Sequence, residues 1–249
     1  MKLDRVIAVR NNKTVYRDGD RRIKVFSFGY SKQDVLNEAL NHAKIEDTGL
    51  RVPEILEVTM IDGKWAIVTE FIKGKTLAQL MAENEDKKSG YLELFVDLQV
   101  QIHSKTCHDL NKLKDSFTRK ILLADIDEAT RAKLLELLEE MPAEDKICHG
   151  DFTPDNIIIG DDGTPYILDW AHAAQGDVSA DGALTYLRFL FDGDAACADD
   201  YLGLFCEKSN ISKQYVKKQI PLAAASQLIK SNEKEREFFL SHVNVTDLK

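Results

Sequence analysis

Three Asp-Gly pairs, Asp18-Gly19, Asp62-Gly63 and Asp162-Gly163, each fall between two short runs of β-prone residues. Glycine accepts the positive φ that a tight hairpin turn demands, so each pair marks an antiparallel connection. The paired runs are Thr14–Tyr16 with Arg22–Phe26, Ile55–Met60 with Trp65–Ile72, and Ile157–Ile159 with Tyr166–Leu168. A further run, Val6–Val9, precedes the first hairpin across Asn11-Asn12-Lys13.

Helical periodicity occupies the rest. Ser31 opens a helix, with Asp34 three residues on and an apolar stripe of Val35, Leu36, Ala39, Leu40 and Ala43. Beyond Gly74, residues 91–104 carry apolar side chains at 91, 94/95, 98 and 102, the spacing of a buried helix face. A second amphipathic helix runs through Leu134, Leu135, Leu137 and Leu138 and ends by Pro142. Residues 105–130 are polar and mixed and receive no assignment, and from about Ala180 the pattern is mostly helical. The order predicts an α+β chain: an antiparallel-sheet lobe with one helix over residues 1–72, then a mainly helical lobe over 73–249.

Charge narrows the partners. With 33 Lys+Arg against 42 Asp+Glu, the formal net charge is −9. Binding to nucleic acid or to anionic lipid by charge would require the opposite balance. No apolar run approaches the roughly 18 residues of a membrane span. Met1-Lys2-Leu3-Asp4-Arg5 lacks the apolar core of a secretory signal. The four cysteines (Cys107, Cys148, Cys197 and Cys206) show no C-x-x-C spacing, so a reduced, cytoplasmic protein without structural zinc is expected.

The chemistry concentrates in Cys148-His149-Gly150-Asp151-Phe152-Thr153-Pro154-Asp155-Asn156, which leads into the third hairpin, and in Ile167-Leu168-Asp169-Trp170, which closes it. A lone Asp in a loop is usually a turn or cap residue. Here the hairpin fixes the ends that carry Asn156 and Asp169, so both can face one point. Asp and Asn oxygens suit a hard cation such as Mg²⁺, which takes further ligands from water and phosphate. Asp151 is then left to accept a proton from a hydroxyl.

This spacing resembles the catalytic and metal-binding segments of kinases, H-x-D-x-x-x-x-N followed by a metal-binding Asp. The wording His-Gly-Asp-Phe-x-Pro-x-Asn with Leu-Asp-Trp is similar to that of the aminoglycoside phosphotransferase and choline kinase-like family. Glu70-Phe71-Ile72-Lys73-Gly74-Lys75-Thr76-Leu77 resembles the family's hinge, and Ile102-His103-Ser104 its Leu-His-Ser. Gly176-Asp177 with Asp181 follows a Gly-Asp-Pro-x-x-Asp segment, with Val178 in place of the Pro. Together the matches run from about residue 22 to residue 190.

The resemblance implies a bilobal protein-kinase-like fold and transfer of a phosphoryl group from ATP or GTP to a hydroxyl of a small molecule. It implies Asp151 as the catalytic residue, with Asn156 and Asp169 holding Mg²⁺. Lys24 would hold the nucleotide's phosphates, paired with Glu38 or, as runner-up, Glu46; Lys13 or Arg22 could stand in for Lys24. The hinge backbone at Glu70, Phe71 and Ile72 would meet the base. Acceptors of aminoglycoside, amino alcohol, homoserine or sugar type are implied, bound by the catalytic loop and the helices after residue 180. The negative net charge is compatible with a cationic one.

One departure and one decoy stand beside these matches. The loop expected over the phosphates, Arg10-Asn11-Asn12-Lys13, has no glycine, which is the best support for the alternative of a catalytically silent nucleotide-binding regulatory pseudokinase. Gly74-Lys75-Thr76 follows a strand but lacks the earlier glycine of a P-loop, position 69 being Thr. No Ala-Pro-Glu occurs in the chain, which argues against protein substrates. His103 and Cys148 are expected as interior residues, His149 as a loop-orienting hydrogen-bonding group, and Glu233–Glu237 as a solvated helix face.

Overall fold

The computed structural model describes Leu3, residues 5–10 (Arg10 by its backbone alone), 12–229 and 231–245. Asn11, in the loop expected over the phosphates, lies outside the described residues. In chain order the elements begin with β1 (Arg5–Arg10), β2 (Lys13–Asp18), β3 (Arg21–Phe26), α1 (Lys32–Glu46), β4 (Ile55–Ile61), β5 (Lys64–Glu70), β6 (Gly74–Thr76) and α2 (Leu77–Glu83). Then follow α3 (Lys88–His103), α4 (Leu113–Leu123), α5 (Glu128–Glu139), β7 (Lys146–Cys148), β8 (Ile157–Gly160), β9 (Pro165–Ile167) and β10 (Ala174–Gly176). The described residues end in helices α6 (Val178–Phe191), α7 (Ala195–Ser209), α8 (Lys213–Lys218), α9 (Ile220–Gln227) and α10 (Glu233–Leu240). Packing separates two compact units, Met1–Glu85 with Pro154–His172, and Asp86–Thr153 with Ala173–Lys249. The hairpin of residues 154–172 thus groups with the first 85 residues.

In the first unit the sheet runs β1-β2-β3-β5-β4, every pair antiparallel. Alternation along β3 sends Ile23 and Val25 to one face, where they pack with Ala66 and Val68. The other face carries Lys24, and Phe26 there packs with Val35 and Ala39 of α1 and Ile67. Burying each such apolar side chain contributes about 1.5–3 kcal/mol. Ser31 caps α1, its hydroxyl accepting from the Asp34 N–H at 3.4 Å.

The buried face of α1 differs from the predicted stripe. It is Val35, Glu38, Ala39, Asn41, His42 and Ile45, whereas Leu36 and Leu40 are exposed and Ala43 also faces out. Three polar side chains displaced the apolar ones because they have partners inside; His42 Nε2, for instance, lies 2.6 Å from the Pro53 carbonyl.

The same unit holds a second sheet, β6-β8-β9. Gly74-Lys75-Thr76 is therefore a strand, paired with Gly160-Ile159-Ile158, and not a phosphate loop. A Cβ on Gly74 would lie 2.0 Å from the Ile159 carbonyl oxygen, so only glycine permits this approach. Thr76 then caps α2 reciprocally with Gln79.

The second unit is helical around a two-stranded β7-β10 ribbon. Its centre is aromatic: Phe95 contacts Phe152 at 4.5 Å between ring centroids, Phe189 at 5.5 Å and Tyr201 at 5.9 Å. The unassigned stretch 105–130 contains α4, which buries Leu113, Phe117 and Ile121. Among the described residues no helix is long and apolar enough to cross a membrane.

Candidate active site

In the first unit, strand and helix geometry brings Lys24, Glu38 and Asp169 together. Lys24 is buried; its Nζ donates to Glu38 Oε1 and lies 3.0 Å from Asp169 Oδ1. Glu46 has other work, its carboxylate accepting from the Ile55 N–H at 2.7 Å where β4 begins. Lys13, at the start of β2 and weighed from the sequence as a stand-in for Lys24, donates to Asp169 Oδ2 at 2.7 Å. Asp169 is thus shared by two ammonium groups. Burial alone would raise its carboxyl, but Lys24 and Lys13 outweigh burial and hold it well below the usual carboxylate range. Lys24 answers in kind: burial would lower it, yet Asp169 and Glu38 raise it above its ordinary value.

The backbone of Asp169 is left-handed, with φ 63°. Few non-glycine residues adopt that conformation, and such positions concentrate at functional sites. Asn156 ends a single 3₁₀ turn, Pro154–Asn156, and its carbonyl accepts from the Leu168 N–H at 2.8 Å. The base of the β8–β9 hairpin therefore carries Asn156 on one arm and Asp169 just beyond the other. Carboxylate and amide oxygens of this kind fit Mg²⁺, and the two ammonium groups on Asp169 mark a place where positive charge is wanted. Behind it, Arg22, Lys24, Glu38, His42, Thr69 and Asp169 help line a cavity of about 20 Å³, room for one water molecule.

Strand β5 stops at Glu70, two residues short of the predicted end, because the chain turns to other partners. The Glu70 N–H donates to the Glu54 carbonyl and the Phe71 N–H to the Asp20 carbonyl, both at 2.9 Å. Arg17 stacks over the Phe71 ring, 4.1 Å from its centroid. Ile72 is buried, and its N–H makes no hydrogen bond among the described residues.

The loop bearing Asp151 belongs to the second unit and is braced by a buried carboxylate. Asp181, in the first turn of α6, accepts from the Gly150 N–H at 2.8 Å, the His149 N–H at 3.1 Å and His103 Nε2 at 2.9 Å. Burial would raise Asp181, but these donors, His103 foremost, bring it below its ordinary value. Gly150 has φ 79°, a left-handed turn between the N–H groups that Asp181 accepts and Asp151. His149 is fully buried, and its Nδ1 accepts from the Asp151 N–H at 3.3 Å. Phe152 anchors the loop in the aromatic centre, and its carbonyl accepts from Thr185, itself bonded to Gln99. Cys148 is wholly buried, which pushes its thiol well above the usual range and suits a packing role.

Asp151 itself is half-exposed and faces an arginine that sequence reasoning missed. Arg188 Nε of α6 lies 3.3 Å from Asp151 Oδ1. The available signal was its spacing: Arg188 follows Asp181 by seven residues, two helical turns, and so shares the face that braces the loop.

Among the described residues, no group of three or more His, Cys, Asp or Glu side chains forms a metal cluster. A Mg²⁺ ion here would rest on the Asp and Asn pair with oxygens from outside the chain.

Known structures share the fold. The choline kinase LicA from Streptococcus pneumoniae superimposes with a TM-score of 0.63 at 16% identity, over 98% of this chain and 92% of that one. A thermostable mutant of the aminoglycoside phosphotransferase APH(4)-Ia, solved as a ternary complex with AMP-PNP and hygromycin B, gives 0.70 at 16% identity over 96% and 90%. A choline/ethanolamine kinase family protein from Mesorhizobium loti gives 0.62 at 14% identity over 100% and 88%. No curated protein matches the chain. A family profile described as "Phosphotransferase enzyme family" matches residues 5–213. With a protein-kinase-like fold and that match over most of its length, the chain belongs to the phosphotransferase enzyme family.

Proposed function

We propose that the protein transfers the γ-phosphoryl group of ATP or GTP to a hydroxyl of a small molecule of aminoglycoside, amino alcohol, homoserine or sugar type. The observation that carries this reading is the buried Lys24–Glu38 pair joined to Asp169, with Asn156 at the base of the same hairpin. In protein kinases a lysine paired with a glutamate beside a metal-binding aspartate is the arrangement that holds the nucleotide's phosphates and metal.

In this reading Lys24, steadied by Glu38, holds the nucleotide's phosphates, and the Ile72 N–H and neighbouring backbone of residues 70–72 meet the base. Asn156 and Asp169 hold Mg²⁺. Bound there, the ion neutralises charge that develops on the transferring phosphoryl group. Asp151 orients the acceptor hydroxyl and takes its proton as the oxygen attacks phosphorus. The transition state is loose, so position matters more than strong basicity. A cationic acceptor agrees with the net charge of −9.

The test is a nucleoside-diphosphate release screen with Mg²⁺ and ATP or GTP over amino alcohols, aminoglycosides, homoserine and sugars. D151N serves as the blank. Acceptor-dependent release that falls by orders of magnitude in D151N supports the reading. Stabilisation against heat by Mg²⁺-nucleotide, with no transfer to any acceptor or to water, would make the protein a silent nucleotide-binding module instead.

A further inference from the structure

Arg188 is held from three sides. Its Nε, buried and without a hydrogen bond among the described residues, lies 3.3 Å from Asp151 Oδ1 as an ion pair. Its Nη2 donates to Gln227 Oε1 on α9 at 3.0 Å, and its Nη1 lies 3.4 Å from Glu235 Oε1 on α10. The guanidinium carbon sits 5.5 Å from the centroid of the Phe239 ring, also on α10. Glu235 is itself fixed, because its other oxygen accepts from the Asn232 N–H at 3.0 Å in the capping box that starts α10. A guanidinium is planar, permanently charged and donates in set directions, so fixing its outer nitrogens also fixes where Nε points.

The arrangement is more than a tie between helices. An arginine already engaged by Gln227 and Glu235 needs no third partner to join α6 to α9 and α10. What the third contact does is set a fixed positive charge beside the Asp151 carboxylate. Gln227 and Glu235 also lie beyond residue 213, where the match to the family profile ends. The clamp on the loop is thus completed by the chain's last helices.

We propose that Arg188 is a positioning residue for Asp151, and that α9 and α10 act on the reaction by holding Arg188. This rests on the reading of Asp151 as the group that takes the acceptor's proton. Arg188 exchanges no proton: the hydroxyl proton passes to the Asp151 carboxylate, and the guanidinium stays charged throughout. Its effect falls on kcat, because it orients a reacting group and leaves the nucleotide-binding residues of the other unit untouched.

The experiment uses the full chain as R188M, R188K, E235Q, D151N and the double variant R188M/D151N. Steady-state diphosphate release from Mg²⁺-ATP or Mg²⁺-GTP is followed, with the best acceptor of the screen or with water alone. R188M is expected to lower kcat about 100-fold, the usual effect of misplacing a reacting group by about 1 Å, with KM for nucleotide within about twofold. R188K should recover part of the loss, and E235Q should lower kcat about fivefold, a partial release of the same group. In the D151N background R188M should have almost no further effect, since both act through one carboxylate. A folded R188M protein with kcat within twofold of the parent overturns the proposal, as does an equal loss with and without Asp151. Should R188M fail to fold, unchanged kcat in both R188K and E235Q overturns it. If D151N retains parental turnover, the underlying reading falls instead, and the two failures are distinct.

Discussion

Lys13 Nζ lies 2.7 Å from one carboxylate oxygen of Asp169, while Lys24 Nζ lies 3.0 Å from the other. A divalent cation that takes this carboxylate must compete with both ammonium groups. Lys13 is the dispensable competitor, because Lys24 also has Glu38. K13M should therefore tighten Mg²⁺ binding to the nucleotide-free protein about fivefold, the equivalent of about 1 kcal/mol for one partly buried pair. Thermal shift against Mg²⁺ concentration measures it, and weaker binding in K13M would contradict the competition.

Glu38 matters for the opposite reason. E38Q removes one of the two carboxylates that hold Lys24, and the ammonium group then leans wholly on Asp169. Nucleotide affinity should fall about tenfold, about 1.4 kcal/mol, and Mg²⁺ affinity should also fall, because Lys24 then competes harder for Asp169. Calorimetric titration with a non-hydrolysable nucleotide separates the two.

The left-handed turn at Gly150 admits no side chain without strain. G150A should cost about 1–2 kcal/mol of stability by urea unfolding. It should cost activity as well, because that turn carries the chain from the N–H groups held by Asp181 to Asp151. Loss of stability with full activity would show that Asp151 does not depend on this brace.

Asp181 also shapes the acid limb of stability. Its carboxyl is depressed in the folded chain, so its contribution is complete above the unfolded value near pH 4 and disappears as pH falls through the folded value. D181N should lose about 3 kcal/mol at neutral pH, because an amide cannot accept from three donors at once. Its stability should also fall less steeply than the parent's below about pH 4. A parallel decline in both proteins would remove Asp181 from the account.

Much of the scaffold was legible because it follows local rules. The Asp-Gly turns, the Ser31 cap and the strands they delimit depend on neighbours in the chain. Helix α4 was readable too: Leu113, Phe117 and Ile121 repeat every four residues, but the polar side chains around them masked so narrow a stripe. The face of α1 misled for a deeper reason. Hydrophobicity ranks Leu36 and Leu40 above Glu38 and His42, yet a buried charge with a buried partner overrides that ranking. Asp151, Asn156 and Asp169 stood out because their spacing resembles a kinase motif, whereas the contact of Arg188 with Asp151 did not. It spans 37 positions and depends on where Gln227 and Glu235 come to rest, which no local pattern records.

The grouping of residues 154–172 with the first 85 has a consequence for how the chain is born. On a ribosome, β6 emerges early and waits for β8, its one strand neighbour among the described residues, until more than 80 further residues have been joined. At about 5–20 residues per second the delay is on the order of ten seconds. During that interval Leu77 and Met81, buried in the finished unit, have no complete place to go. A nascent chain arrested before residue 157 should therefore be cut readily by protease around residues 74–83, and one released beyond residue 172 should not.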